Sequence, residues 1–278
     1  MKKTTLIFVL LFISSKLFAC DCETPKIALE AYNSDYVFKG KVTQKFFSKD
    51  LSLYTITVKV LKHYKNSDSL PQEFKFTLPS RHNIEKTSCD YFIDKYEELL
   101  LYIKKKEDLS YGFDLMCSNS KKITNKQIRK TEMLILENIN QFDIDNYVLE
   151  YARGFNSPKP LVNVDSIINL FNDNKTEPQK FSIVTIDLDK EGKLIKANLT
   201  HREGRIKYNV VDTIFGLNYI KNEQYHKPRN NFEELILKIS EKITYWTPYK
   251  NLRTGKAVRF RKFLIFQSNN KGEITVEY

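Results

Sequence analysis

Four cysteines, Cys20, Cys22, Cys89 and Cys117, all fall in the first half of this 278-residue chain, and the first stands where an apolar leader ends. Lys2 and Lys3 precede an apolar run over 6–13 that is too short to span a bilayer, and Ala19 offers a small residue just before a cut. Residues 1–19 therefore read as a secretory signal, with the remainder exported to a periplasmic or extracellular space. No later stretch approaches the roughly 18 uninterrupted apolar residues of a membrane helix. In an oxidising compartment an even cysteine count implies two disulfides, with three ways to pair them. A Cys20–Cys22 bridge would close a very small, strained ring, so each cysteine is expected to reach a distant partner. Loops of such length can contribute up to about 4 kcal/mol each.

Two other fates for Cys20 follow from the same residues. Leu17, Phe18, Ala19 and Cys20 partly match a lipobox, with Leu and Ala fitting and Phe bulky; lipidation would tether the chain and leave one odd thiol. Thiolate ligation of zinc is disfavoured. The four histidines, His63, His82, His201 and His226, have no ligand spacing to one another or to a cysteine. Disulfides are the favoured reading, and no metal or other cofactor is expected.

A net charge of +11, of which the leader's three lysines account for 3, leaves +8 beyond residue 19. The lysines are scattered, and no arginine-rich run or nucleic-acid motif accompanies them, so solvated surface charge is the simplest account and a nucleic-acid partner is not expected. Weak attraction to anionic glycans or membrane surfaces is the partner inference that charge alone permits.

Along the chain, Thr24 and Pro25 predict a helix start, with Thr as N-cap and Pro at the first helical position. Strands are expected over 35–42, 54–64 and 73–78, with Ile56, Val58 and Val60 alternating with Thr57 and Lys59. The run over 98–103 is apolar on both faces and reads as a central strand. Thr124 and Asn125 open a helix to about 140, with Ile128, Ile135 and Ile139 along one side. Residues 20–122 thus read as a small all-β barrel. A helical connector and linker follow over 123–180, marked by loop-like composition at 154–160 and 172–180. Residues 181–278 restart as an α+β domain of ββαβ type. Val184, Ile186 and Leu188 alternate into a turn ending at Gly192, and Ile195, Ala197 and Leu199 alternate back. Asn231 with Glu234 resembles a capping box ahead of a Leu235, Ile236, Ile239, Ile243 stripe, and 259–267 forms a further strand.

The first half resembles the netrin-like OB barrel of tissue inhibitors of metalloproteinases. The resemblance rests on Cys20-Asp21-Cys22 at the mature start, the strand runs 37–42, 54–62 and 98–103, and the spacing to Cys89 and Cys117. It implies pairings Cys20–Cys89 and Cys22–Cys117. It also implies a wedge of Cys20, Asp21 and Cys22, in which the amine and carbonyl of Cys20 chelate the catalytic zinc of a target protease. Asp21 departs from the family, which places a small hydroxyl residue there; burying a carboxylate in an apolar pocket costs several kcal/mol unless it is paired.

The second half, over about 181–267, is similar to the C-terminal domain of TonB-type energy transducers. Trp246, Pro248, Gly255, Lys256 and Val258 carry a Trp-x-Pro…Gly-Lys-x-Val pattern. The inner-membrane helix and Pro-rich spacer of such transducers are not seen, so Trp246 is expected as an aromatic core anchor and Gly255 as a turn residue.

No nucleophile elbow, P-loop, dinucleotide fingerprint or HExxH motif is present, so an enzyme is not expected. Asp187 and Asp189 share one strand face and read as solvated polar residues. The combined expectation is an exported envelope protein that binds another protein, with a zinc metalloprotease the sharpest candidate and a periplasmic adaptor role an alternative.

Overall fold

The computed structural model describes residues 22–67, 69–80, 92–123, 128–171, 176–200, 212–219 and 227–278. The chain is mostly β and forms two compact units, Met1–Phe142 and Asp143–Tyr278.

In the first unit, α1 (Ile27–Asn33) leads into β1 (Tyr36–Phe47), β2 (Leu53–His63), β3 (Glu73–Pro79), β4 (Glu98–Lys105) and the short β5 (Tyr111–Gly112) and β6 (Lys121–Lys122). They form one antiparallel sheet in the order β3-β2-β1-β4-β5, with β6 also on β4. Alternation fixes the inner face: Tyr54, Ile56 and Val58 of β2 and Phe74, Phe76 and Leu78 of β3 are all buried. β4 is buried from Leu99 to Ile103, which its central position explains. Side chains nearly close the sheet on itself. Phe74 meets Tyr111 edge-on at 5.3 Å and Phe76 meets Phe113 at 4.8 Å, bridging the two ends of the strand order. A register shift between Val42 and Gln44 turns Lys45 to the side of the core residue Ile56. There its ammonium lies 3.2 Å from the Phe92 ring centroid and 4.9 Å from that of Tyr54, and pairs with Asp94 at 3.2 Å.

After β6 comes α2 (Lys130–Asn138), starting later than the sequence suggests; Thr124 and Asn125 lie outside the described residues. Ile135 and Ile139 are buried, whereas Ile128 precedes the helix and is half-buried.

The second unit holds α3 (Val164–Asn169), β7 (Phe181–Leu188), β8 (Leu194–Thr200), α4 (Asn231–Lys242), β9 (Phe260–Ser268) and β10 (Ile274–Glu277). Its antiparallel sheet runs β10-β9-β7-β8, so a fourth strand joins the three expected. Residues 154–160, read from composition as part of a linker, are built into this unit: Phe155 bridges Asn251 and Pro160 bridges Trp246. Val184, Ile186, Leu188, Leu264 and Phe266 bury one sheet face against Phe232, Leu235, Ile236 and Ile239 of α4. Two local expectations shift. A register irregularity after Asp187 leaves Ile195 52% exposed rather than aligned with Leu199. The α4 cap is Asn230, whose side chain accepts from the Glu233 N–H at 2.9 Å, one residue ahead of the Asn231 and Glu234 pairing expected. The Glu233 carboxylate reaches back to the Arg229 N–H at 2.8 Å, doing at the preceding residue what a capping-box glutamate does at the cap.

Candidate functional site

The N-terminal segment of the first unit is fixed by an unusually polar turn. Asp114 accepts from the N–H groups of Met116 (2.7 Å) and Cys117 (3.1 Å), and the Ser118 hydroxyl donates to the Asp114 carbonyl. This presents Cys117 to Cys22, and the two form a disulfide with a Cα–Cα distance of 5.5 Å across a sequence separation of 95. Asn119 adds a second clamp. Its side-chain amide donates to the Pro25 carbonyl (2.8 Å) and to Glu30 Oε2 (2.6 Å), while its backbone N–H donates to the same oxygen (2.7 Å).

That clamp explains why the helix starts later than Thr24 and Pro25 suggest. The Pro25 carbonyl is taken by Asn119, and the first helical bond instead runs from the Glu30 N–H to Lys26 at 3.0 Å, so α1 begins at Ile27 with no side-chain cap. Glu30 itself is buried. Burial pushes its carboxyl above the ordinary value, outweighing the Asn119 donors and the nearby Lys104 charge that act the other way. At the far end of α1, the Lys65 ammonium donates to the carbonyls of Ala31 (3.0 Å), Tyr32 (2.7 Å) and Ser34, satisfying carbonyls of the largely buried helix terminus. Behind the turn, Ser120 Oγ accepts from the Tyr102 N–H at 3.0 Å. The Tyr102 hydroxyl donates to the buried Glu132 at 3.3 Å, and Lys121 also reaches that carboxylate. Burial, then the charges of Glu132 and Glu30, push the Tyr102 phenol far above its usual range.

The result is a start of chain held covalently and by hydrogen bonds, with Glu23 and Thr24 exposed on it. Of the expected wedge, Cys22 lies in this anchor; Cys20 and Asp21 lie outside the described residues, as does the Cys20–Cys89 pairing. Sequence reading missed Glu30, Asn119 and Glu132. The signal for Asn119 is the polar run 118–120 directly after Cys117; the two glutamates carry none, since each looks like a surface helix residue.

The motif residues of the second unit take structural places. Trp246 is fully buried; its indole N–H donates to the Ile243 carbonyl at 3.0 Å and its backbone N–H to Gly192 at 2.9 Å. Pro248 is half-buried, with its carbonyl held by Asn156 at 2.9 Å. Val258 is buried, whereas Gly255 (φ +69°) and Lys256 lie exposed on a turn. The five residues do not converge on one pocket.

Asp187 is not the solvated residue expected. It is buried and receives two bonds from Arg261, Nε at 2.7 Å and a terminal nitrogen at 2.9 Å, with Lys196 at 3.6 Å. The β7–β9 register sets Asp187 opposite Arg261, so the carboxylate faces a cation of its own sheet instead of water. Asp189 closes the hairpin turn by accepting from the Lys193 N–H at 2.7 Å.

Among the described residues, no three or more His, Cys, Asp or Glu side chains gather as a metal site, and no helix is long and apolar enough to cross a membrane. The chain matches no model of a known protein family. No curated protein matches it significantly.

Proposed function

We propose that this is an exported, non-enzymatic cell-envelope protein that binds another protein through the pinned start of a netrin-like OB barrel, followed by a TonB-C-like α+β domain. The observation that carries the reading is the double anchoring of residues 22–25, by the Cys22–Cys117 bridge and by Asn119 on Pro25. Such anchoring serves recognition because a segment ordered beforehand loses little entropy when it docks. The nearly closed barrel supports the OB resemblance, and two strands, a helix and two further strands support the second.

A photo-crosslinker at the exposed Thr24 tests the reading in envelope extracts. Adducts from Thr24, and none from a crosslinker at Lys75 on the barrel wall, are the expected result; adducts from Lys75 alone would reject it.

The sharper form is metalloprotease inhibition. An unblocked Cys20 amine, with an ordinary pKa near 8, is deprotonated often enough at neutral pH to ligate zinc beside its own carbonyl. One residue added ahead of Cys20 then abolishes inhibition of zinc endopeptidases; equal inhibition by the extended chain excludes chelation. An adaptor role for the second unit rests on β8, which ends the sheet order among the described residues and would add a strand there.

A further inference from the structure

Asp212 is 6% exposed, and several donors converge on its carboxylate. Its Oδ1 accepts from the N–H groups of Ile214 (2.6 Å) and Phe215 (2.8 Å), as the side chain of an aspartate opening a turn does. The Asp212 N–H donates to the Leu217 carbonyl and its own carbonyl accepts from the Gly216 N–H, each at 2.9 Å, so the turn over 212–217 holds the carboxylate in place. Its Oδ2 accepts from two phenols, Tyr147 and Tyr219, each at 2.6 Å.

The backbone brings these tyrosines together. Tyr147 bridges Tyr219 in antiparallel fashion, and the Val148 N–H donates to the Asn218 carbonyl at 3.0 Å. Their rings stack with centroids 5.3 Å apart and planes 24° from parallel. Because both hydroxyls sit on one oxygen, the phenolic oxygens can be no farther apart than twice 2.6 Å, and the ortho carbons flanking them are drawn together. Tyr147 is buried and Tyr219 is half-buried.

The protons are distributed to match. Burial, then the bond to Asp212, hold the Tyr147 phenol far above its usual range, so it keeps its proton at neutral pH. Burial alone would raise Asp212, but the Tyr147 and Tyr219 hydroxyls and the two turn N–H groups together pull it below its ordinary value. Protonated phenols therefore face an ionised acceptor. A phenol gives up an electron far more readily when a positioned base takes its proton, because the radical cation is a very strong acid.

The first unit supplies a contrast. Tyr36 and Tyr111 are almost as close, with centroids 5.6 Å apart, but their rings meet edge-on at 75°, and the Tyr36 hydroxyl reaches Ser69 at 3.4 Å.

We propose that Tyr147 and Tyr219 are a dityrosine site, at which a one-electron oxidant joins their ortho carbons while Asp212 accepts the phenolic protons. The site lies in the second unit and does not depend on the N-terminal reading. Each phenol gives one electron to an oxidant molecule and its hydroxyl proton to Asp212 Oδ2, which passes that proton to water before taking the next. The two phenoxyl radicals form a carbon–carbon bond, and the hydrogens on the joined carbons move to the oxygens. Both phenols are thereby restored. The sum is two electrons to two equivalents of oxidant and two protons to water.

The test exposes the chain from residue 20 onward to photogenerated ruthenium(III) tris-bipyridyl, a one-electron oxidant. The monomer is then isolated, and its linked peptides are mapped by mass. A species lighter by two hydrogens, with Tyr147 joined to Tyr219, is expected well ahead of any Tyr36–Tyr111 link. Asp212→Asn keeps an acceptor for the hydroxyls but removes the base, and should slow the 147–219 link by about 100-fold, the lower end of what a positioned base contributes. Native Trp246 emission before oxidation establishes that this variant is folded. The proposal falls if Tyr147 links mainly to the exposed Tyr151, or if Tyr36–Tyr111 links as fast as 147–219. It also falls if folded Asp212→Asn links at the parent's rate. If that variant does not fold, the comparison of the two pairs within the parent decides the matter alone.

Discussion

Gly192 and Gly255 adopt nearly the same left-handed backbone, φ +83° and +69°, but in opposite surroundings. A Cβ on Gly255 would meet nothing within 4 Å, whereas one on Gly192 would lie 2.1 Å from the Trp246 carbonyl oxygen and 3.2 Å from the Pro248 nitrogen. Gly255→Ala therefore carries mainly the left-handed penalty, about 1 kcal/mol. Gly192→Ala carries that and more. The backbone of Trp246 has to retreat, which breaks its 2.9 Å bond to the Gly192 carbonyl at about 1 kcal/mol and disturbs packing around the buried indole at about 1–3 kcal/mol. The expected total is about 3–5 kcal/mol. Trp246 is the sole tryptophan of the chain, so its fluorescence during urea unfolding reports this unit directly. With an m-value of about 2 kcal/mol/M, Gly192→Ala lowers the midpoint by about 2 M and Gly255→Ala by about 0.5 M. Equal shifts would refute the reasoning, because they would mean that the close approach of Trp246 adds nothing to the backbone term.

Two further outcomes are expected. Asp187→Asn or Arg261→Met alone removes one member of a buried ion pair and costs about 3–5 kcal/mol, the second less because Lys196 stays 3.6 Å from the carboxylate, whereas Asp187→Leu with Arg261→Met costs less than the sum of the two; a double variant as unstable as that sum contradicts this. Glu30, raised above its ordinary 4.5 by burial, holds a proton in the folded state at pH values where the unfolded chain has released it. Its contribution is full below 4.5 and is lost as pH rises from there through the folded value. Glu30→Gln should flatten the stability-against-pH curve over that window, and an unchanged slope argues that the carboxyl is not responsible.

The strands were legible because their signal is local. Alternation along 54–60 and 181–188 depends on neighbours two residues apart, and the apolar run over 99–103 announced a strand flanked on both sides. What escaped depends on partners far along the chain. Asp187 looked solvated because Arg261, 74 residues later, becomes its neighbour only through the β7–β9 register. Glu30 and Asn119 are 89 residues apart, and the same Asn119 amide takes the Pro25 carbonyl, which is what delays α1 past Pro25. The exposed Ile195 escaped for a smaller reason: a register irregularity reverses facing, and no residue there announces it. The Asn119 clamp on Pro25 comes from a contact that only the fold creates.

The Cys22–Cys117 bridge has a mechanical consequence. Load that reaches Cys22, from a bound partner or a membrane tether, passes through the sulfur atoms into the turn at 114–120. The strands between the two cysteines lie off that line of tension. A pull at Cys22 therefore strains a polar turn braced by Asp114 and Asn119 and then β6, while β1 to β5 lie inside the loop that the bridge closes.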